Sequence, residues 1–311
     1  MNPAFLSPHR VVHRGIVFTI LALLALTIAG CVSFQISPSS TTNPVQWDDS
    51  QRTLIVFAPG TKEGKIKFFT ALDRLGIRYE VGLQINAYLP RKEHVPDLIS
   101  PERINAREAF VKANREWNPK RPIIAYYDFE PDHGSWNWDV QKRGYNAADL
   151  RFFRRAVAEL RSYQRDTGSS LPLGFYGQPV TRKDKAWNAQ DRLNVINNKP
   201  LTEEFDWLVL SIYARGSAVN NQTEAQHREK ISRNWEIMQE VFPDRPILPM
   251  VALKEVSPND GYGRVYFDEL GKLGVTAVGL WANPGTPAQT RSWIRQLESD
   301  AEHIRAWQRG E

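Results

Sequence analysis

Short apolar runs recur along this chain, each followed by a stretch whose apolar residues fall at helical spacing. That alternation constrains the fold more than any other feature. The runs cover Thr53–Ala58, Tyr79–Tyr88, Pro122–Asp128, Leu171–Tyr176, Phe205–Tyr213, Pro246–Leu253 and Val275–Trp281. Runs that stay apolar at consecutive positions suit strands buried on both faces, as in a parallel sheet; Tyr79–Tyr88 is the most mixed of them. Helices are predicted over Lys65–Leu75 (Ile66, Phe69, Leu72 and Leu75 inward), Pro101–Trp117 (Ile104, Ala109 and Phe110 inward) and Asn146–Thr167, whose Leu150, Phe153, Val157, Leu160 and Tyr163 form a stripe. Further helices follow over Thr223–Phe242, Arg264–Leu273 and Pro287–Trp307, the last capped by Thr286 with Pro287 in its first turn.

Such alternation leaves an open doubly wound sheet or a closed β/α barrel. The glycine fingerprint of dinucleotide folds, G-x-G-x-x-G after the first strand, is absent, as is the P-loop. The strand ends instead carry chemistry: Asp128 and Glu130, Tyr176 and Gln178, Tyr213, Trp281 and Asn283. In a barrel these ends converge on one mouth. The expected fold is therefore a single-domain α/β TIM-like barrel of about seven strands, spanning residues 47–311.

The central run is Ile123-Ile124-Ala125-Tyr126-Tyr127-Asp128-Phe129-Glu130-Pro131. Residues i and i+2 of a strand share a side, which sets the Cβ atoms of Asp128 and Glu130 roughly 6–7 Å apart. Two neighbouring carboxylates cannot both ionise freely, and burial raises one pKa further, which keeps a general acid protonated near neutral pH. Glu130, furthest out, is the better acid. A pair on one strand does not flank a scissile bond as an ordinary glycosidase acid and nucleophile do. Asp128 is better suited to orient a nucleophile belonging to the substrate, such as an N-acetyl group. Tyrosines at strand ends can hydrogen-bond that acetamide, and Trp281 offers a flat face for a pyranose ring. Trp136-Asn137-Trp138 reads as a sugar platform or a loop anchor, and His133 as an exposed loop histidine. No spaced His or Cys set indicates a metal, no G-x-S-x-G elbow indicates a serine hydrolase, and no cofactor is implied.

Residues 1–30 read as a removable leader: Arg10 and Arg14 precede an apolar core over 16–28, too short to span a bilayer, which needs about 20 residues. The ending Ile28-Ala29-Gly30-Cys31 resembles the lipobox of bacterial lipoproteins. That resemblance implies cleavage before Cys31, a diacylglyceryl thioether on its sulfur, and a fatty acyl chain such as palmitate on its amine. Cys31 is the chain's single cysteine, so no intrachain disulfide can form and the domain relies on its core. Residues 31–46, rich in Ser, Thr, Asn and Pro, read as a flexible tether. The expected location is the bacterial cell envelope, and the outer membrane if the host is Gram-negative, because Val32 rather than Asp follows Cys31. The formal charge of +5 falls to +3 once Arg10 and Arg14 leave, and no run of like charge marks a nucleic-acid patch. A monomer is expected, with a polysaccharide and a lipid membrane as its partners.

The Asp128-Phe129-Glu130 strand end resembles that of the hyaluronidases, glycosidases built on a seven-stranded β/α barrel. Gly174-Phe175-Tyr176-Gly177-Gln178-Pro179 is similar to that family's Gly-Phe-Tyr-Gly-Phe-Pro segment, with Gln178 in place of Phe. Ser211-Ile212-Tyr213 matches its Ser-Ile-Tyr, and Val278-Gly279-Leu280-Trp281 resembles its Val-Val-Leu-Trp strand, with Asn283 where the family runs into Gly-Ser. The similarity covers scattered blocks between residues 120 and 285, and the family's paired disulfides are missing. It implies Glu130 as proton donor, Asp128 as the residue that places the acetamide, and Tyr176, Tyr213 and Trp281 as sugar contacts. Three functions stay open: hydrolysis of an N-acetylhexosamine-containing polysaccharide, muramidase-like hydrolysis of peptidoglycan, and glycan binding without cleavage.

Overall fold

A computed structural model describes residues 45, 51–86, 106–128, 147–178, 203–212, 223–252 and 262–311, all within one unit, Thr42–Glu311. The leader, Cys31, Ile104, Glu130, His133, the Trp136-Asn137-Trp138 group, Asn146 and Tyr213 lie outside the described residues.

Seven parallel strands close a barrel in sequence order: β1 (Thr53–Phe57), β2 (Glu80–Asn86), β3 (Ile124–Asp128), β4 (Leu173–Gln178), β5 (Trp207–Ser211), β6 (Ile247–Val251) and β7 (Ala277–Trp281). Closure is made by β7 on β1, with Thr53 beside Ala277 and Phe57 beside Trp281. The described helices are α1 (Lys62–Arg74), α2 (Ala106–Arg115), α3 (Ala147–Thr167), α4 (Glu224–Val241), α5 (Tyr262–Lys272) and α6 (Pro287–Arg309). The barrel reading of the sequence holds, including the mixed run that became β2.

The strands' alternation sorts their side chains into two apolar layers. Leu54, Val56, Ala125, Tyr127, Leu208, Leu210, Val278 and Leu280 point outward and join the helix faces. Ile55, Phe57, Ile124, Tyr126, Trp207, Val209, Leu248 and Met250 fill the lumen, and Val45 packs against this inner cluster. Large rings come from β1, β3 and β5: Phe57 and Tyr126 meet edge to face at 4.8 Å, and Phe57 stacks on Trp207 at 6.3 Å. The strands between them supply glycines. A Cβ on Gly82 would lie 2.1 Å from the Phe57 ring, and one on Gly174 would lie 2.3 Å from the Trp207 ring. The lumen is thus a packed core in which bulk on alternate strands requires its absence on their neighbours. Gly174→Ala should cost about 1–3 kcal/mol in urea unfolding, the usual penalty for overpacking.

The helix ends follow their capping chemistry. Thr286 and Gln289 bond reciprocally at the start of α6, Thr223 and Gln226 do the same at α4, and Gly310 ends α6 in the left-handed region at φ 85°. Trp293, Leu297, Ile304 and Trp307, which recur at helical spacing along α6, are buried. In α1 the prediction needs correction: Ile66 is 41% exposed, while Phe68 and Phe69 are buried. Capped by Thr61, this helix begins at Lys62, three residues before the expected start, and its inward stripe runs through Gly64, Lys65, Phe68, Phe69 and Leu72. Lys65 is admitted to that stripe by Glu116, which meets its ammonium at 2.6 Å. Ile123, placed at the start of the central strand, lies outside β3 and is 40% exposed.

His227, on the inner face of α4, is buried, and burial together with Lys230 lowers its pKa to about 4. The folded chain therefore keeps this imidazole neutral where the unfolded chain protonates it near 6.5. Unfolding takes up a proton in this window, so stability is full above pH 6.5 and is lost as pH falls toward 4. Between pH 7 and pH 5 the loss should be about 2 kcal/mol, and it should vanish in His227→Gln, measured by urea unfolding across that range.

Candidate active site

All seven strands run the same way, so their C-terminal ends form one rim. Asp128 is the last residue of β3, beside Asn86 of β2 and two residues beyond the lumenal Tyr126. Its backbone stands at the rim; its side chain, and Glu130, lie outside the described residues.

Tyr176 of β4 rises from the inner layer. Its ring tilts against Tyr126 at 5.8 Å, and its hydroxyl lies 3.4 Å from Ser211 Oγ at the end of β5. A ring based on packed aromatics and tied at its hydroxyl is fixed before any ligand arrives. The strand does not break at Gly177 as its glycine suggests: β4 continues to Gln178. Phe175 pairs with Leu208, but Gln178 pairs with Leu210 rather than Ser211, so one extra residue of β4 is inserted between them. Bulges of this kind recur beside active sites because they re-aim a strand end.

Trp281 ends β7 and is half-buried. Its indole Nε1–H donates to Gln84 Oε1 at 2.9 Å, and its ring meets Trp293 of α6 edge to face at 5.8 Å. Gln84 belongs to β2, so this bond crosses over β1. Asn283 begins the turn into α6, where its carbonyl accepts from the Gly285 N–H at 2.9 Å. The turn is latched to the neighbouring rim loop: the Thr61 hydroxyl donates to the Pro284 carbonyl at 3.3 Å. A Cβ on Gly64 would fall 1.8 Å from that carbonyl oxygen, so α1 seats flush beneath the turn.

Of the residues singled out from the sequence, Asp128, Tyr176, Gln178, Trp281 and Asn283 thus occupy rim positions of the barrel. The direct partners of the two described aromatics, Gln84 and Ser211, were not singled out. Ser211 stands inside the Ser-Ile-Tyr segment. Gln84 had one signal: it lies on the parity of its strand that carries Glu80, Gly82 and Asn86, opposite the apolar Val81, Leu83 and Ile85. Among the described residues no group of His, Cys, Asp and Glu is arranged to hold a metal ion.

No family model and no curated protein sequence matches the chain. Solved structures resemble it at low identity. Bee venom hyaluronidase in complex with a hyaluronic acid tetramer is 14% identical over 80% of this chain and 98% of that chain, with a TM-score of 0.48. The YdjI aldolase of Escherichia coli K12 is 11% identical over 83% of this chain and 92% of that one, at a TM-score of 0.35. A phospho-2-dehydro-3-deoxyheptonate aldolase of Thermotoga maritima is 12% identical over 81% of this chain and 69% of that one, at 0.34. The fold assignment rests on the chain's own strand order: a closed seven-stranded parallel β/α barrel.

Proposed function

We propose that this chain is an envelope-anchored glycoside hydrolase that cleaves an N-acetylhexosamine-containing polysaccharide. The observation that carries the reading is the position of Asp128, which ends β3 at the rim where Tyr176 and Trp281 also stand. Glu130, two residues further along the chain, donates its proton to the glycosidic oxygen as the bond to the anomeric carbon breaks. The oxygen of the substrate's own acetamide attacks that carbon, while the Asp128 carboxylate accepts the acetamide N–H and holds the group in line. Water then opens the cyclic intermediate, and Glu130, now a carboxylate, takes a proton from it. Tyr213 and Tyr176 contribute hydrogen bonds to the acetamide and sugar, Gln178 and Asn283 line the site, and Trp281 stacks on a pyranose ring. The scheme needs no cofactor.

The anchor belongs to the same reading. Cleavage before Cys31 and acylation there would hold a monomer on the membrane, on the outer membrane if the host is Gram-negative, with residues 31–46 as spacer. An unmodified Cys31 in the mature chain, read by mass spectrometry, contradicts the anchor but leaves the chemistry standing.

The test is release of reducing ends from hyaluronan, other glycosaminoglycans and purified peptidoglycan. Cleavage of a glycosaminoglycan supports the reading as stated. Cleavage confined to peptidoglycan moves the substrate to the muramidase class. Saturable glycan binding with no new reducing ends contradicts the enzyme and leaves a glycan-binding lipoprotein.

A further inference from the structure

We propose that Gln84 is a positioning residue that turns Trp281 into a stacking face for the sugar, an inference resting on the glycosidase reading above. An indole has one hydrogen-bond donor and no acceptor. In Trp281 that donor is given to Gln84 Oε1 at 2.9 Å. The ring therefore has no N–H to offer a sugar hydroxyl, and what it presents is its flat apolar surface. Two further contacts hold it. The edge of the ring pair with Trp293 sits at 78° between planes, and the turn after Trp281 is tied to Thr61 through Pro284.

The sequence around Gln84 makes the reach possible. Gly82, two residues earlier on the same side of β2, has no side chain because the Phe57 ring takes its place. Phe57 itself is the β1 neighbour of Trp281. The glutamine thus passes above a strand whose lumenal position is filled by a ring and joins strands on either side of it. A face locked before binding spares the ligand the cost of ordering it. Stacking of this kind acts alike on bound substrate and transition state, so its loss appears in KM rather than kcat.

The experiment compares Gln84→Met, which keeps length but removes the acceptor, with Gln84→Glu, which keeps one, in wild-type and Trp281→Phe backgrounds. The substrate is whichever of hyaluronan, the other glycosaminoglycans and purified peptidoglycan the wild type cleaves. Gln84→Met should raise KM about tenfold and change kcat less than about threefold, and Gln84→Glu should recover most of that loss. In the Trp281→Phe background, which has no indole N–H, Gln84→Met should have little additional effect; such coupling is what distinguishes positioning through Trp281 from a general structural role. The indole resonance that disappears from a ¹⁵N spectrum of Trp281→Phe should shift in Gln84→Met without any sugar present. Equal KM losses from Gln84→Met in both backgrounds, or an unshifted resonance, overturn the inference while the glycosidase reading stands. A wild type that cleaves none of these polymers defeats the glycosidase reading and the catalytic-site role of Gln84 with it, even where the resonance shifts.

Discussion

Glu130→Gln should lower turnover of the cleaved polysaccharide by about a thousandfold, within the range a positioned general acid contributes, while leaving its dissociation constant within about threefold. Glutamine preserves the shape and much of the hydrogen bonding of a protonated glutamic acid, so the bound sugar loses little. It cannot deliver a proton to the departing oxygen, and it cannot later take one from water. Asp128→Asn should act differently. It removes the charge that favours the polarised acetamide, so it should depress turnover of N-acetylated substrate more than it weakens binding. Turnover and isothermal titration on the same polymer separate the two. Unchanged turnover in Glu130→Gln would take the acid away from this residue and with it the reason for pairing it with Asp128.

Trp207→Ala should destabilise the folded chain by about 4 kcal/mol, the range for removing a buried tryptophan, and lower the melting temperature by roughly 10 °C. Trp207 is fully buried in the lumen against Phe57 and Tyr126, and its indole N–H donates to the Pro172 carbonyl at 3.3 Å. Truncation opens a cavity whose walls are strand side chains fixed on all sides by the closed sheet, so little collapse can offset it. Gly174 was left bare to admit this ring, which widens the void. Trp281→Ala is the counterpart. This half-buried rim residue should cost much less stability in urea unfolding and much more in sugar affinity. Two tryptophans of one barrel should thus fail in opposite assays.

The barrel was legible because its signals are local and repeated. Each strand is a run with one outcome, and closure of the sheet follows once no nucleotide fingerprint competes. α6 was legible for the same reason: a capping threonine, a proline at its first turn and a stripe of tryptophans agree on one helix. Where tertiary partners decide, the sequence misled. The stripe of α1 counted Ile66 inward by its helical spacing to Phe69, Leu72 and Leu75. Glu116, fifty-one residues away, lets Lys65 go inside and rotates the buried face toward Phe68. The insertion in β4 was equally hidden, since Gly177 reads as a stop and the strand's continuation depends on its pairing with Leu210.

The site followed the same division. Aromatic and acidic residues at strand ends could be found from the runs that carry them. Their partners could not, because Gln84 and Trp281 stand 197 residues apart and meet only when β7 closes on β1. A glutamine in a mixed strand says nothing by itself about an indole at the far end of the chain. The roles of Asp128 and Glu130 rest on chemistry and spacing.

The most direct measurement is a crystal structure of Glu130→Gln soaked with an oligosaccharide of the cleaved polymer. The expected structure has an acetamide N–H within hydrogen-bond distance of the Asp128 carboxylate, the glycosidic oxygen within the same reach of residue 130, and a pyranose ring stacked on Trp281. A sugar bound elsewhere, or one bound at the rim with its acetamide turned away from Asp128, would contradict it.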